Sequence, residues 1–124
     1  MRLTVCLATA RGITRTRAEL ASTAAERARG LMAHAPLGPD EGMFFVFPTR
    51  DAWPFHMRDV PFALDLIFIT RGLVIGHATG RPRDPTTLVG PGAYDAVLEV
   101  PAGFVAHHDV RLGDRVALDF SSYN

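Results

Sequence analysis

The sequence contains no lysine and no glutamine, and its single asparagine is the last residue, Asn124. All 13 basic residues are therefore arginines. Without lysine, the chain cannot form a Schiff base on a side-chain amine, and it cannot supply the lysine of a P-loop. Two large classes of enzyme chemistry are thus excluded before any motif is considered.

Cysteine and net charge are also scarce. Cys6 is the only cysteine, which excludes an intramolecular disulfide and a cysteine metal cluster. The formal net charge is zero, which argues against nucleic acid as the main partner, because phosphate binding normally needs a basic excess. No apolar run reaches membrane-spanning length, and we expect no export signal, because Arg11 interrupts the first apolar segment. We expect a soluble protein with no membrane partner, in the cytoplasm or in a particle assembled there.

Turn and capping signals organise the first third of the chain. Arg11–Gly12 separates two strand-like segments and predicts an N-terminal hairpin over residues 3–21. The sequence of Thr23–Glu26 matches a capping box, in which the threonine and the glutamate satisfy free N–H groups of the first helical turn. We predict a helix over residues 23–34, stopped by Pro36.

The remainder predicts a β-rich core over residues 43–120. Pro48 ends its first strand, and a short second helix fits residues 101–109. With the hairpin, this makes one domain, residues 1–124, that is mostly β. We expect a curved antiparallel sheet or partly closed barrel of about seven or eight strands, with the main helix packed against it. The predicted core strands are Met43–Phe47, Phe62–Thr70, Leu73–Ala78, Tyr94–Val100 and Arg115–Phe120.

The most apolar stretch, Trp53–Thr70, carries a charged residue in the middle of its predicted strand. A buried carboxylate at Asp65 must find partners. A structural interpretation gives it backbone N–H groups or an arginine such as Arg58. A catalytic interpretation makes it a general acid or base. The sequence leaves both open.

A series of blocks in fixed order resembles the Domain of Unknown Function 192 family. The resemblance implies a compact β-rich fold with a helix, and it implies no activity. The blocks, in chain order, are E-R-A-R-G-L-M, G-M-F-F-V-F, F-H-M-R-D-V-P-F-A-L-D-L-I-F-I, V-L-E-V-P-A-G and G-D-R-V.

Three acidic residues of this chain match the family pattern: Asp65, Glu99 and Asp114. We interpret them as structural polar ties. We expect Glu99 to pair with an arginine and Asp114 to cap the turn before the last strand. The chain departs from the family in residues 55–60, where F-H-M-R-D-V replaces the typical F-W-M-K-N-T.

This departure makes the same loop the predicted binding site, through Trp53, His56, Arg58 and Asp59. Trp53 stands at the edge of the apolar stretch, where a partly exposed aromatic ring could anchor a ligand or a partner. We expect no cofactor and no metal site, because adjacent His107 and His108 diverge on a helix and no regular ligand spacing occurs.

Three functional classes remain open. The first is a non-enzymatic binding or accessory domain that acts through surface loops. The second is a structural component of an assembly, such as a virion or capsid accessory protein. The third is a small enzyme that uses Asp65 with His56 and Arg58. Within the first two classes, we expect a protein partner or self-assembly rather than a small molecule.

Overall fold

The computed structural model describes residues 1–121 of the chain. The predicted domain of residues 1–124 thus includes three positions, 122–124, that lie outside the described residues. In chain order the elements are β1 (Arg2–Thr9), β2 (Gly12–Ala21), α1 (Ala24–Arg29), β3 (Glu41–Asp51), β4 (Leu64–Thr70), β5 (Leu73–Gly80), β6 (Tyr94–Pro101), α2 (Phe104–His108) and β7 (Arg115–Asp119).

The seven strands found in residues 1–121 form a ring in the order β1-β2-β3-β6-β4-β5-β7. The ring is not a regular barrel, because β5 and β7 meet at a single register pair, Leu73 with Arg115. Strands β2 and β3 run parallel, whereas the sequence predicted an antiparallel sheet. Parallel neighbours need a long crossover, and α1 lies within it. The predicted mostly-β, partly closed architecture is confirmed.

The main helix begins as predicted but is shorter than residues 23–34. Thr23 Oγ1 accepts the Glu26 N–H at 3.1 Å, and Glu26 Oε1 accepts the Thr23 N–H at 3.0 Å. The helix ends at Arg29 because Gly30 adopts a φ of +49°. Residues 30–33 form turns instead, and residue 34 has no regular structure, so the predicted second half of the helix was wrong.

The third strand is longer than predicted. It continues through Pro48 to Asp51, where the sequence indicated a stop followed by a polar connection. The pairing of β3 with β6 shifts register between Val46 and Asp51. Because Pro48 lies within this irregularity, its missing N–H interrupts no regular ladder.

Two apolar clusters lie on opposite faces of the central strands. The inner cluster fills the ring with side chains from β1 to β6 and is closed by Phe104 and Val105 of α2. The outer cluster covers the other face of β3, β6 and β4 and includes Leu31, Met57 and Val60 from the connecting segments. Met57 is 1% exposed, so the loop of residues 53–60 is packed onto the sheet rather than being a free lead-in.

Candidate functional site

A cavity of about 310 Å³ opens on the outer face of the sheet. One side is the segment of residues 27–32, which includes the end of α1, and the other is the loop of residues 53–60. The packing of both segments onto the outer cluster positions them. This volume lies at the lower end of the range of about 300–1,000 Å³ that is typical of ligand-binding pockets. We refer to this space below as the cavity.

Aromatic side chains form one wall of the cavity. The rings of Phe47 and Trp53 stack with centroids 5.0 Å apart and an interplanar angle of 13°. Phe55 lies edge-on to Phe45 at 5.2 Å and to Phe47 at 5.9 Å. Trp53 Nε1 also donates to the carbonyl of Thr49 at 2.9 Å. The wall is therefore a preformed apolar surface.

Tyr94 anchors the start of the loop of residues 53–60 from the underlying sheet. It is fully buried, and its hydroxyl donates to the backbone carbonyl of Trp53. Burial raises the pKa of the Tyr94 hydroxyl above its ordinary value, so it remains a donor at physiological pH. Tyr94 also packs against Phe68 with ring centroids 4.8 Å apart.

We expect Tyr94→Phe to destabilise the protein by about 1–2 kcal/mol, because the Trp53 carbonyl loses a buried donor. Urea denaturation would measure this loss. The emission of Trp53, the only tryptophan in the chain, should shift to longer wavelength as its loop becomes more exposed. Unchanged stability and unchanged emission would contradict the anchoring role.

Glu99 lies at the bottom of the cavity. Glu99 belongs to β6, and its neighbours on the two flanking strands are Met43 of β3 and Leu66 of β4. The residue is 5% exposed. Burial raises the pKa of its carboxyl to about 8. No residue within 1–121 forms an ion pair or a hydrogen bond with the side-chain carboxyl of Glu99. The predicted arginine partner of Glu99 is therefore wrong. The residues beside Glu99 on the two flanking strands are the apolar Met43 and Leu66.

The rim carries more positive than negative charge. Arg27 and Arg29 line it together with Asp59 and His56. Nη1 of Arg27 donates to the carbonyls of Ser22 at 2.7 Å and of Val46 at 3.1 Å, which fixes the guanidinium in place. With Glu99 neutral, the lining has a surplus of one positive charge.

The structure brings three of the predicted binding residues to this cavity: Trp53, His56 and Asp59. Arg58 is exposed and does not line the cavity, but its N–H donates to Nδ1 of His56 at 3.3 Å. The sequence reasoning did not place Glu99 here. A signal was present in the sequence, since Glu99 lies between the apolar residues Leu98 and Val100 in a strand, but a similar pattern at Asp65 has a different outcome.

Asp65 lies on the opposite face of the sheet, at the end closed by α2. Its Oδ2 accepts the backbone N–H groups of Gly103 at 3.2 Å and Val105 at 3.0 Å. Its Oδ1 accepts the Thr79 hydroxyl at 3.3 Å. Of the partners that the sequence allowed, backbone N–H groups are therefore the ones present.

A separate depression beside Asp65 is lined by His77, Thr79 and Asp109, and it includes neither His56 nor Arg58. The predicted catalytic group of Asp65, His56 and Arg58 is therefore not assembled. Asp65 alternates along β4 with Leu64 and Leu66 of the outer cluster, so its side chain leaves the sheet on the other side.

Asp114 accepts the backbone N–H of Arg111 at 2.7 Å, in the turn before β7. His107 and His108 stand edge to face with ring centroids 4.7 Å apart. Among the described residues, no three histidine, cysteine, aspartate or glutamate side chains are grouped so that they could hold a metal ion. These positions contribute nothing to the cavity.

The family model described as "Uncharacterized ACR" matches residues 6–118, nearly the whole chain. The chain belongs to the Domain of Unknown Function 192 family. A solved protein of unknown function from Novosphingobium aromaticivorans is 36% identical, with a TM-score of 0.89, and the match covers 94% of this chain and 84% of that one. The resemblance indicated by the sequence blocks is thus confirmed.

A second similar solved structure comes from Sinorhizobium meliloti and is described as a "putative transcription regulator". It is 29% identical with a TM-score of 0.90, and the match covers 95% of this chain and 94% of that one. A search of curated proteins found no match. No helix in residues 1–121 is long and apolar enough to cross a membrane.

Proposed function

We propose that this family member is a non-enzymatic binding domain and that its cavity takes a small molecule with an apolar body. The observation that carries this proposal is the unpaired, buried Glu99 carboxyl at the bottom of a cavity with an aromatic wall. Buried polar groups almost always have a partner. A bound molecule would supply the one that the chain does not.

This proposal revises the expected partner. The sequence favoured a protein or a second copy of the chain, but a concave site with one convergent polar group is typical of small-molecule binding. Of the four residues suggested for binding, Trp53, His56 and Asp59 line the cavity, and Arg58 is not part of the proposed site. We keep the cytoplasm as the expected location, because a lone cysteine needs no oxidising compartment.

Nucleic acid is not part of the proposal. The zero net charge of this chain offers little attraction for phosphates. We therefore propose a ligand-binding role without direct contact to DNA.

Titration with anilinonaphthalene sulfonate, an aromatic anionic dye, tests the proposal. We expect dye fluorescence to rise and Trp53 emission to fall on the same binding curve, because Trp53 lines the cavity. In Ala28→Phe, a ring grows into the cavity from an exposed position of α1, and binding should weaken at least tenfold.

The matched control is Ala25→Phe, an equally exposed position of α1 that does not line the cavity. It should bind the dye as the wild type does. Equal binding by Ala28→Phe and the wild type would refute the cavity as the site. Thermal melting of all three proteins would show whether a change in binding reflects loss of folding.

A further inference from the structure

The chemistry of the cavity narrows the class of ligand, on the condition that the proposed binding function holds. The only strongly buried polar side chain in its lining is Glu99, at 5% exposure and with no partner among residues 1–121. A carboxyl in such a place can be satisfied in two ways. A cation can pair with its ionised form, or a hydrogen-bond acceptor can accept a hydrogen bond from the O–H of its neutral form.

The surrounding charges distinguish these two ligands. The charged and titratable groups that line the same space are Arg27, Arg29, His56 and Asp59. A cationic ligand would approach Glu99 past two arginines and only one carboxylate. An anionic ligand would be attracted by the same rim. Burial also favours the neutral carboxyl, since its pKa is raised to about 8.

The aromatic wall of the cavity indicates what the rest of the ligand must be like. Phe47, Trp53 and Phe55 present apolar surface beside the opening, and their mutual stacking leaves them little freedom to rearrange. A ligand whose body is apolar would bury that body against the wall. Its polar group would then reach the deeper Glu99.

We propose that the cavity binds a small carboxylic acid with an aromatic or branched aliphatic body, and that Glu99 determines this specificity by donating a hydrogen bond to the ligand carboxylate. The carboxyl of Glu99 keeps its proton and the ligand enters as the anion, so no proton transfer is needed. Charge-assisted hydrogen bonds of this kind are shorter and stronger than neutral ones.

A matched series of probes tests this inference: phenylacetate, phenylacetamide and phenethylamine, which share one body and differ in the polar group. Each is titrated into the full chain, with the emission of Trp53 and calorimetry as readouts. At pH 7 we expect phenylacetate to bind most tightly and phenethylamine most weakly. From pH 7 to pH 9, phenylacetate affinity should fall about tenfold, because Glu99 with a pKa of about 8 loses its proton.

Two variants isolate the role of Glu99. Glu99→Gln keeps a donor that cannot ionise, so its phenylacetate affinity should be the same at pH 7 and pH 9. Asp40→Asn changes an exposed carboxylate that does not line the cavity and should retain the tenfold fall. A pH effect that comes from any other group would persist in Glu99→Gln, which separates the role of Glu99 from the rest of the lining.

Tighter binding of phenethylamine than of phenylacetate would overturn the inference, as would a phenylacetate affinity that is equal at both pH values in the wild type. If the sulfonate dye binds in the cavity but none of the three probes does, the acid specificity is refuted while the proposed binding function stands. If neither the dye nor phenylacetate binds, both are refuted.

Discussion

Glu99→Gln should stabilise the protein by about 3 kcal/mol at pH 7, an unusually large gain for one substitution. Burial raises the pKa of the Glu99 carboxyl to about 8 in the folded protein, against an ordinary value of 4.5. Between these values the folded state holds a proton that the unfolded state has released. The contribution of Glu99 to stability is therefore fully present below pH 4.5 and is lost as the pH rises to about 8.

Glutamine has nearly the same shape and does not titrate, so the variant avoids this loss. We expect the two proteins to have similar stability at pH 4, and the difference to grow steadily up to about pH 8. Near pH 7 the melting temperature of Glu99→Gln should be higher by on the order of 10 °C. Urea denaturation and thermal melting across this pH range would measure the difference.

Asp40→Asn is the control, because Asp40 is exposed and no residue within 1–121 forms a hydrogen bond or ion pair with its carboxylate. Its stability relative to the wild type should change little with pH. A difference between Glu99→Gln and the wild type that does not grow from pH 4.5 to pH 8 would show that the Glu99 carboxyl is not kept neutral by burial. Retention of so costly a group is typical of functional sites, where stability is given up for binding.

Replacement of Asp65 should destabilise the protein, in contrast to Glu99→Gln. The carboxylate of Asp65 joins β4 to the start of α2, through the N–H groups of Gly103 and Val105, and to β5 through Thr79. Asp65→Asn keeps an accepting oxygen but loses the charge, and neutral hydrogen bonds are about half as strong. We expect a loss of about 2 kcal/mol and a clearly lower melting temperature.

Asp65→Ala should cost about 4 kcal/mol, because two N–H groups beside α2 lose their acceptor. Asp119→Asn serves as the control: Asp119 is exposed, and its Oδ1 accepts the N–H and hydroxyl of Ser121. Its effect should stay below about 1 kcal/mol. A melting curve for Asp65→Asn that matches the wild type would contradict the structural role and restore Asp65 as a candidate for chemistry.

Local signals in the sequence determined the β-rich class, the positions of most strands and the start of α1. Turn pairs and capping boxes depend on contacts between residues a few positions apart, so a short stretch of sequence is enough to predict them. The errors occurred where a distant contact or a backbone irregularity decided the outcome. Gly30 ended the helix by adopting a positive φ, and the register shift opposite β6 allowed Pro48 to remain within a strand.

The two buried acids show why the site itself could not be predicted. Asp65 and Glu99 have a similar local pattern, an acidic residue between two apolar neighbours in a strand, and the sequence assigned both a structural role. Tertiary structure separated them, because Asp65 meets N–H groups that lie 38 and 40 residues away, whereas Glu99 lies between Met43 and Leu66 and opens into the cavity. The sequence by itself determined the strands and the charges they carry. Only the pairing of β6 between β3 and β4 decided which acid remained without a partner, because strand register sets the face on which each side chain lies.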